Sequence, residues 1–155
     1  MAAGLVAAPA GLRALQRRRR IAAGTAGALW DELTATAQDA GLPLEPAWTP
    51  RQVGRELGSV VGRSATSEAG ADAVLRLALA EESASYGPAT GRAQVHPDLL
   101  AALRTARQAL LATLPRRARL RARLWPASLV AGALDRMAGA VARRVPRPAR
   151  RTRSV

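Results

Sequence analysis

Cysteine, lysine and phenylalanine are absent from this 155-residue chain, and aromatic residues make up only 3% of it. Without cysteine there is no thiol nucleophile, no disulfide and no thiolate metal ligand. Without lysine there is neither a Walker-type phosphate loop nor Schiff-base chemistry. A single histidine, His96, excludes a multi-histidine zinc centre. His96 and Asp98 could join a serine in a hydrolytic triad, but no Gly-x-Ser-x-Gly turn accompanies them. The order His96-Pro97-Asp98 fits a helix entry better, because proline suits the first helical position and a carboxylate the first turn. Neighbouring carboxylates at Asp31-Glu32 and Glu81-Glu82 point to different parts of a helix, so both pairs are read as solvated faces rather than acid–base machinery. No catalytic residue, metal ligand or cofactor is expected, and no small-molecule substrate is inferred.

Alanine and arginine are what the chain has instead. Of its 75 hydrophobic residues 37 are alanine, which leaves a thin core built mainly from leucine. All 24 basic residues are arginine, set against 11 acids for a net charge of +13. That charge is unevenly spread. Residues 1–20 carry five arginines and no acid, residues 21–115 carry seven arginines against ten acids, and residues 116–155 carry twelve arginines against Asp135 alone. A mildly acidic centre thus lies between two basic arms.

Helix signals fill the centre. Leu29, Leu33 and Ala37 repeat at helical spacing beside Trp30, a core anchor, over 28–40, and Gly41 with Pro43 supplies a stop. Thr49-Pro50-Arg51-Gln52 reads as a capped start, followed by the stripe Val53, Leu57, Val60 and Val61. Gly58 and Gly62 have GxxxG spacing, read as close packing or helix termination. A third helix begins near Glu68, places Val74, Leu75, Ala78 and Leu79 on one side, and ends at Tyr86-Gly87-Pro88. A fourth runs from Pro97 with Leu99, Leu100, Leu103, Ala106, Leu110 and Leu114 on one face and Arg104 and Arg107 on the other, until Pro115. No segment alternates with period two. The expected fold is all-α: a small bundle of about four helices plus a C-terminal basic amphipathic helix, with disordered ends.

The chain accordingly divides into an apolar segment with an arginine run (1–20), a helical domain (26–114), an arginine-rich connector (115–127), an amphipathic helix (128–144) and a disordered basic tail (145–155). Met1 to Leu12 is apolar but too short to cross a bilayer, which takes about 20 residues. Closed by Arg13 and Arg17 to Arg20, it reads either as the cytoplasmic end of a transmembrane helix or as an ordinary disordered start. The last helix suits an anionic membrane surface or, equally, docking on the bundle.

Trp30-Asp31-Glu32-Leu33, Asp39-Ala40-Gly41-Leu42-Pro43, Thr49-Pro50-Arg51 and Tyr86-Gly87-Pro88, in that order, resemble the C-terminal domain of unknown function of TgpA-type transglutaminase-like membrane proteins of high-GC bacteria. The resemblance spans roughly residues 13–125. It implies a small cytosolic helical domain following a last membrane helix, with Trp30, Leu33, Gly41, Thr49, Pro50 and Tyr86 as its structural motif residues. The family's catalytic Cys, His and Asp belong to another domain, and no residue here stands for them. The chain then reads either as a stand-alone version or as the tail of a longer frame.

Three functions are compatible with these features. The first is a non-enzymatic interaction module at the cytoplasmic face of the membrane, or in the cytoplasm if Met1 is the true start. Its contacts to anionic lipid or a membrane-protein partner would be Arg17, Arg18, Arg19, Arg20, Arg116, Arg117, Arg119, Arg121 and Arg123. The second is nonspecific nucleic-acid binding through the same arms, without an aromatic platform for bases. An enzyme ranks last.

Overall fold

The computed structural model describes residues 2–63, 68–87, 97–124 and 127–128. Among these the protein is all-α, with six helices and no strand: α1 (Ala2–Ala23), α2 (Ala26–Asp39), α3 (Pro50–Gly62), α4 (Glu68–Tyr86), α5 (Pro97–Ala112) and α6 (Arg116–Leu124). Residues 2–20, for which a membrane-helix end and a disordered start were both open, belong to a helix, and the expected connector after Pro115 coils into α6. The expected helix over 128–144 and the tail lie outside the described residues, apart from Ser128. No helix among the described residues is long and apolar enough to cross a membrane.

Local chemistry sets most helix ends. Gly24, at φ +63°, terminates α1, and the next residue, Thr25, caps α2 by accepting the Ala28 N–H at 3.3 Å. At the far end of α2, Gly41 adopts φ +80°; its N–H reaches Gln38 O at 2.9 Å and the Leu42 N–H reaches Ala37 O at 3.0 Å, a Schellman closure. Thr49 and Gln52 form a complete capping box on α3, with Pro50 in the first turn. Pro97 and Asp98 open α5 as their order suggests, while His96 lies outside the described residues. Arg119 closes α5 from below: its Nε donates to Leu114 O at 2.9 Å and its Nη2 to Ala112 O at 3.3 Å, satisfying carbonyls that the helix end leaves open.

The core runs through Leu29, Trp30, Leu33, Leu57, Val61, Val74, Leu77, Leu103 and Leu110. α4 sits centrally, packed against α2, α3 and α5. On α4 the buried residues are Gly70, Ala73, Val74, Leu77 and Ala78, whereas Leu75 and Leu79 are exposed. The stripe is therefore rotated from the one expected. The reason is steric: α3 and α5 approach α4 so closely that only small residues fit between them. A Cβ on Gly54 would lie 2.7 Å from that of Ala78, and one on Gly70 would collide with Ala109 and come within 2.9 Å of Val61. Of the two readings of Gly58 and Gly62, close packing is absent, since an added Cβ meets nothing within 4 Å, while termination holds at Gly62, the last residue of α3.

Gly70→Ala is expected to destabilise the fold by about 1–3 kcal/mol through overpacking. Gly58→Ala is expected to stabilise it by about 0.5–1 kcal/mol through helix propensity alone. Urea unfolding followed by circular dichroism measures both, and equal effects at the two sites would refute the packing account.

Candidate functional site

Glu32 has no solvent exposure. It lies one turn from Leu29 and Thr36 and beside Leu33, so it occupies the inward stripe of α2, and its reading as a solvated residue is corrected. Asp31, next in the chain, is exposed as expected. A bare carboxylate in that position would be costly, and arginines from two other helices neutralise it. Arg13 of α1 binds it through two parallel bonds, Nη1 to Oε2 at 2.7 Å and Nη2 to Oε1 at 3.0 Å. Its Nε reaches Asp39 Oδ2 at 2.7 Å. Arg20 stands 3.7 Å from Oε2 while donating to the Asp31 carbonyl at 3.0 Å. Arg13 thus meets the end of α2 and Arg20 its beginning, which makes α1 and α2 an antiparallel pair joined through Gly24-Thr25.

A third helix contributes Arg107, from α5. Its Nε donates to Thr36 Oγ1 at 3.2 Å and lies 3.9 Å from Glu32 Oε1, beyond hydrogen-bond length. Only 17% of its side chain is exposed, so its assignment to the solvated face of α5 is corrected; Arg104 is exposed. The face changes because Thr36 and Glu32 make the facing part of α2 polar. Asp39 completes the cluster, its Oδ1 accepting the Ser128 N–H at 2.9 Å.

The cations differ in how well they are matched. Burial alone would weaken Arg13's hold on its proton, but the bonds and charges of Glu32 and Asp39 outweigh it, and its pKa is raised. Arg107 moves the other way: burial lowers its pKa first, and Arg17 lowers it further, against a partial offset from Glu32. Desolvation raises the Asp31 carboxyl, with Arg20 pulling against it. Above the cluster opens a groove of about 330 Å³, walled by Ala10, Ala14, Leu111 and Ala122 and reached by Arg13, Arg17 and Arg107.

The arginines singled out as surface contacts fall into different environments. Arg18, Arg19, Arg116 and Arg117 are exposed, and no carboxylate among the described residues pairs with them. Arg17 is exposed and lines the groove. Arg20 and Arg119 are engaged by α2 and α5, and the guanidinium of Arg121 stands over the C-terminus of α2, its Nη2 3.4 Å from a Cβ placed on Gly41. The side chain of Arg123 lies outside the described set. Of the motif residues, Trp30 and Leu33 are buried, Thr49 and Pro50 start α3, Gly41 ends α2, and Tyr86 stands exposed at the end of α4. Sequence reasoning missed Arg13, Glu32 and Arg107 as a unit. The readable signal was the position of Glu32 on the same helical stripe as Leu29, Leu33 and Thr36.

Glu32→Gln leaves the buried Arg13 without its charge partner and is expected to cost about 3–5 kcal/mol of folding free energy. Glu56→Gln, on an exposed face, is expected to change stability by less than about 0.5 kcal/mol. Denaturant midpoints of the two variants test this, and a Glu32→Gln protein as stable as the parent would remove the cluster's structural role. In comparisons with known proteins, no family model, no curated protein and no solved structure matches this chain.

Proposed function

We propose that this protein is a non-catalytic interaction module that docks on an anionic membrane surface through the outer faces of α1 and α6. The observation that carries this reading is a set of leucines left in water among arginines. On α1, Leu12 and Leu15 are 57% and 46% exposed, and Arg19 follows them at helical spacing on the same outer face. On α6, Leu120 is 58% exposed, three and four residues after the exposed Arg117 and Arg116. The inner faces of these helices are used otherwise: Arg13 and Ala122 are buried, and α1 packs against α6. Two arginine clusters about a hundred residues apart in sequence are thereby neighbours in space.

Basic residues draw such a surface to anionic headgroups, at about 1 kcal/mol each, and the leucines add apolar burial at the headgroup boundary. A phosphate backbone would reward the arginines but give the leucines no partner, which favours lipid over nucleic acid. The resemblance of the Trp30, Gly41, Thr49-Pro50 and Tyr86 motifs to the cytosolic domain of TgpA-type membrane proteins supports the same location, the cytoplasmic face of the membrane.

Co-sedimentation with phosphatidylglycerol and phosphatidylcholine vesicles tests this reading. Binding is expected to the anionic vesicles only and to weaken as salt rises. Substituting Leu12, Leu15 and Leu120 together by serine is expected to weaken vesicle binding about tenfold or more, equivalent to about 1.4 kcal/mol, while leaving any binding to duplex DNA unchanged. Equal binding to neutral vesicles, or a serine variant that binds like the parent, would overturn it.

A further inference from the structure

Charge in the groove between α1 and α5 does not balance. Arg13, Arg17 and Arg107 reach it, against Asp39 at its wall and Glu32 behind it. Both oxygens of Glu32 and one of Asp39 are bonded to Arg13, and the other oxygen of Asp39 accepts the Ser128 N–H. Arg107 is left with a hydroxyl at 3.2 Å and a carboxylate at 3.9 Å, although its side chain is largely buried. Arg17 has no carboxylate within 4 Å among the described residues, and it stands near enough to Arg107 to weaken that residue's hold on its proton. Two guanidiniums thus face one cavity from different helices, their mutual repulsion offset only in part by Glu32 and Asp39.

We infer that this groove is a binding site for the phosphate group of a small organic phosphate, held between Arg17 and Arg107. An oxyanion there turns the repulsion between the two cations into two attractions, in a setting partly withdrawn from water. Phosphate fits better than carboxylate. A carboxylate presents its two oxygens to one guanidinium fork, whereas the three terminal oxygens of a phosphate monoester present edges to two forks at once. Size agrees, since the groove of about 330 Å³ exceeds by several fold the ~30 Å³ share of a single water. Away from the arginines, Thr36 and Asp39, its walls are the apolar Ala10, Ala14, Leu111 and Ala122, which favours a short apolar body on the phosphate over a sugar. The site stands on Arg17 and Arg107 and does not depend on the exposed leucines that carry membrane docking.

The phosphate of such a ligand can belong to a soluble ester or to the headgroup of phosphatidic acid. Titration of the full chain with inorganic phosphate and with n-propyl phosphate, at constant ionic strength and read by calorimetry, is expected to give saturable one-site binding. Propyl phosphate is expected to bind more tightly. Arg17→Gln, which changes an exposed residue, is expected to weaken both at least fivefold with little change in melting temperature. Arg55→Gln, on α3 away from the groove, is expected to leave binding unaltered. Arg107→Gln is expected to abolish it; should that variant fail to fold, the Arg17 variant decides alone. Vesicles then separate the sources. Preference for phosphatidic acid over phosphatidylglycerol at matched charge, lost in Arg17→Gln, identifies a headgroup, and equal binding to both identifies a soluble ester. Absence of saturable binding to either soluble phosphate, or equal weakening by Arg17→Gln and Arg55→Gln, would overturn the inference. Both results remain separable from membrane docking, which is read in the leucine variants.

Discussion

A carboxylate shut away from water governs how this small protein is assembled. Glu32 occupies a position on α2 that its neighbours Leu29 and Leu33 dedicate to the core. Leaving it charged and alone there would cost several kcal/mol, so its burial demands cations from outside α2. Arg13 and Arg20 answer from α1 and Arg107 from α5. The same ion therefore fixes where α1 lies along α2 and which face α5 turns towards them. The packing of α1 is to that extent electrostatic. On α1 a partly buried Ile21 packs against the core, while the charged contacts at Arg13 and Arg20 set the antiparallel register.

Alanine and glycine supply the complementary device on the other side of the bundle. A chain with few large apolar residues gains more from bringing backbones close than from filling space with side chains, because dispersion contacts accumulate only at short range. The approach of α4 to α3 through Gly54 and Ala78, and to α5 through Gly70 and Ala109, does this. A thin core is thus compatible with a close-packed one. The two halves use different means: small residues between α3, α4 and α5, and a charge cluster between α1, α2 and α5.

What could be read from the sequence follows from how local its physical cause is. The stripe Leu29, Leu33, Ala37, the cap Thr49-Pro50-Gln52 and the stop at Gly41 depend on residues within one or two turns, and each stands in the structure as its pattern suggests. The face of α4 was misplaced because hydropathy favours Leu75 and Leu79, whereas the buried side is chosen by where a neighbouring backbone needs glycine and alanine. Glu32 was misread for a similar reason. Its partners are 12, 19 and 75 residues away along the chain, and no local pattern distinguishes a carboxylate awaiting distant cations from one facing solvent. The adjacent Gly24 and Thr25, a helix stop followed at once by a cap, were a local signal for α1 that passed unread.

The absence of lysine takes on structural meaning at particular positions. Arg13 spends three nitrogens on three oxygens of two carboxylates, with Nη1 and Nη2 on Glu32 and Nε on Asp39. A lysine ammonium, compact and tetrahedral, cannot span those acceptors from one site. Arg119 likewise uses two separate nitrogens for two carbonyls at the end of α5. The formal charge of +13 consequently overstates what the protein can offer a partner. Arg13, Arg20 and Arg119 are engaged within the fold, as is the greater part of Arg107. Among the described residues, an outside anion meets the exposed arginines of α1 and α6, the exposed Arg55, Arg63, Arg76 and Arg104 on and beside α3 to α5, and Arg17 with the part of Arg107 that reaches the groove. The arginine and leucine surface of α1 and α6 is open, whereas the groove is a walled cleft.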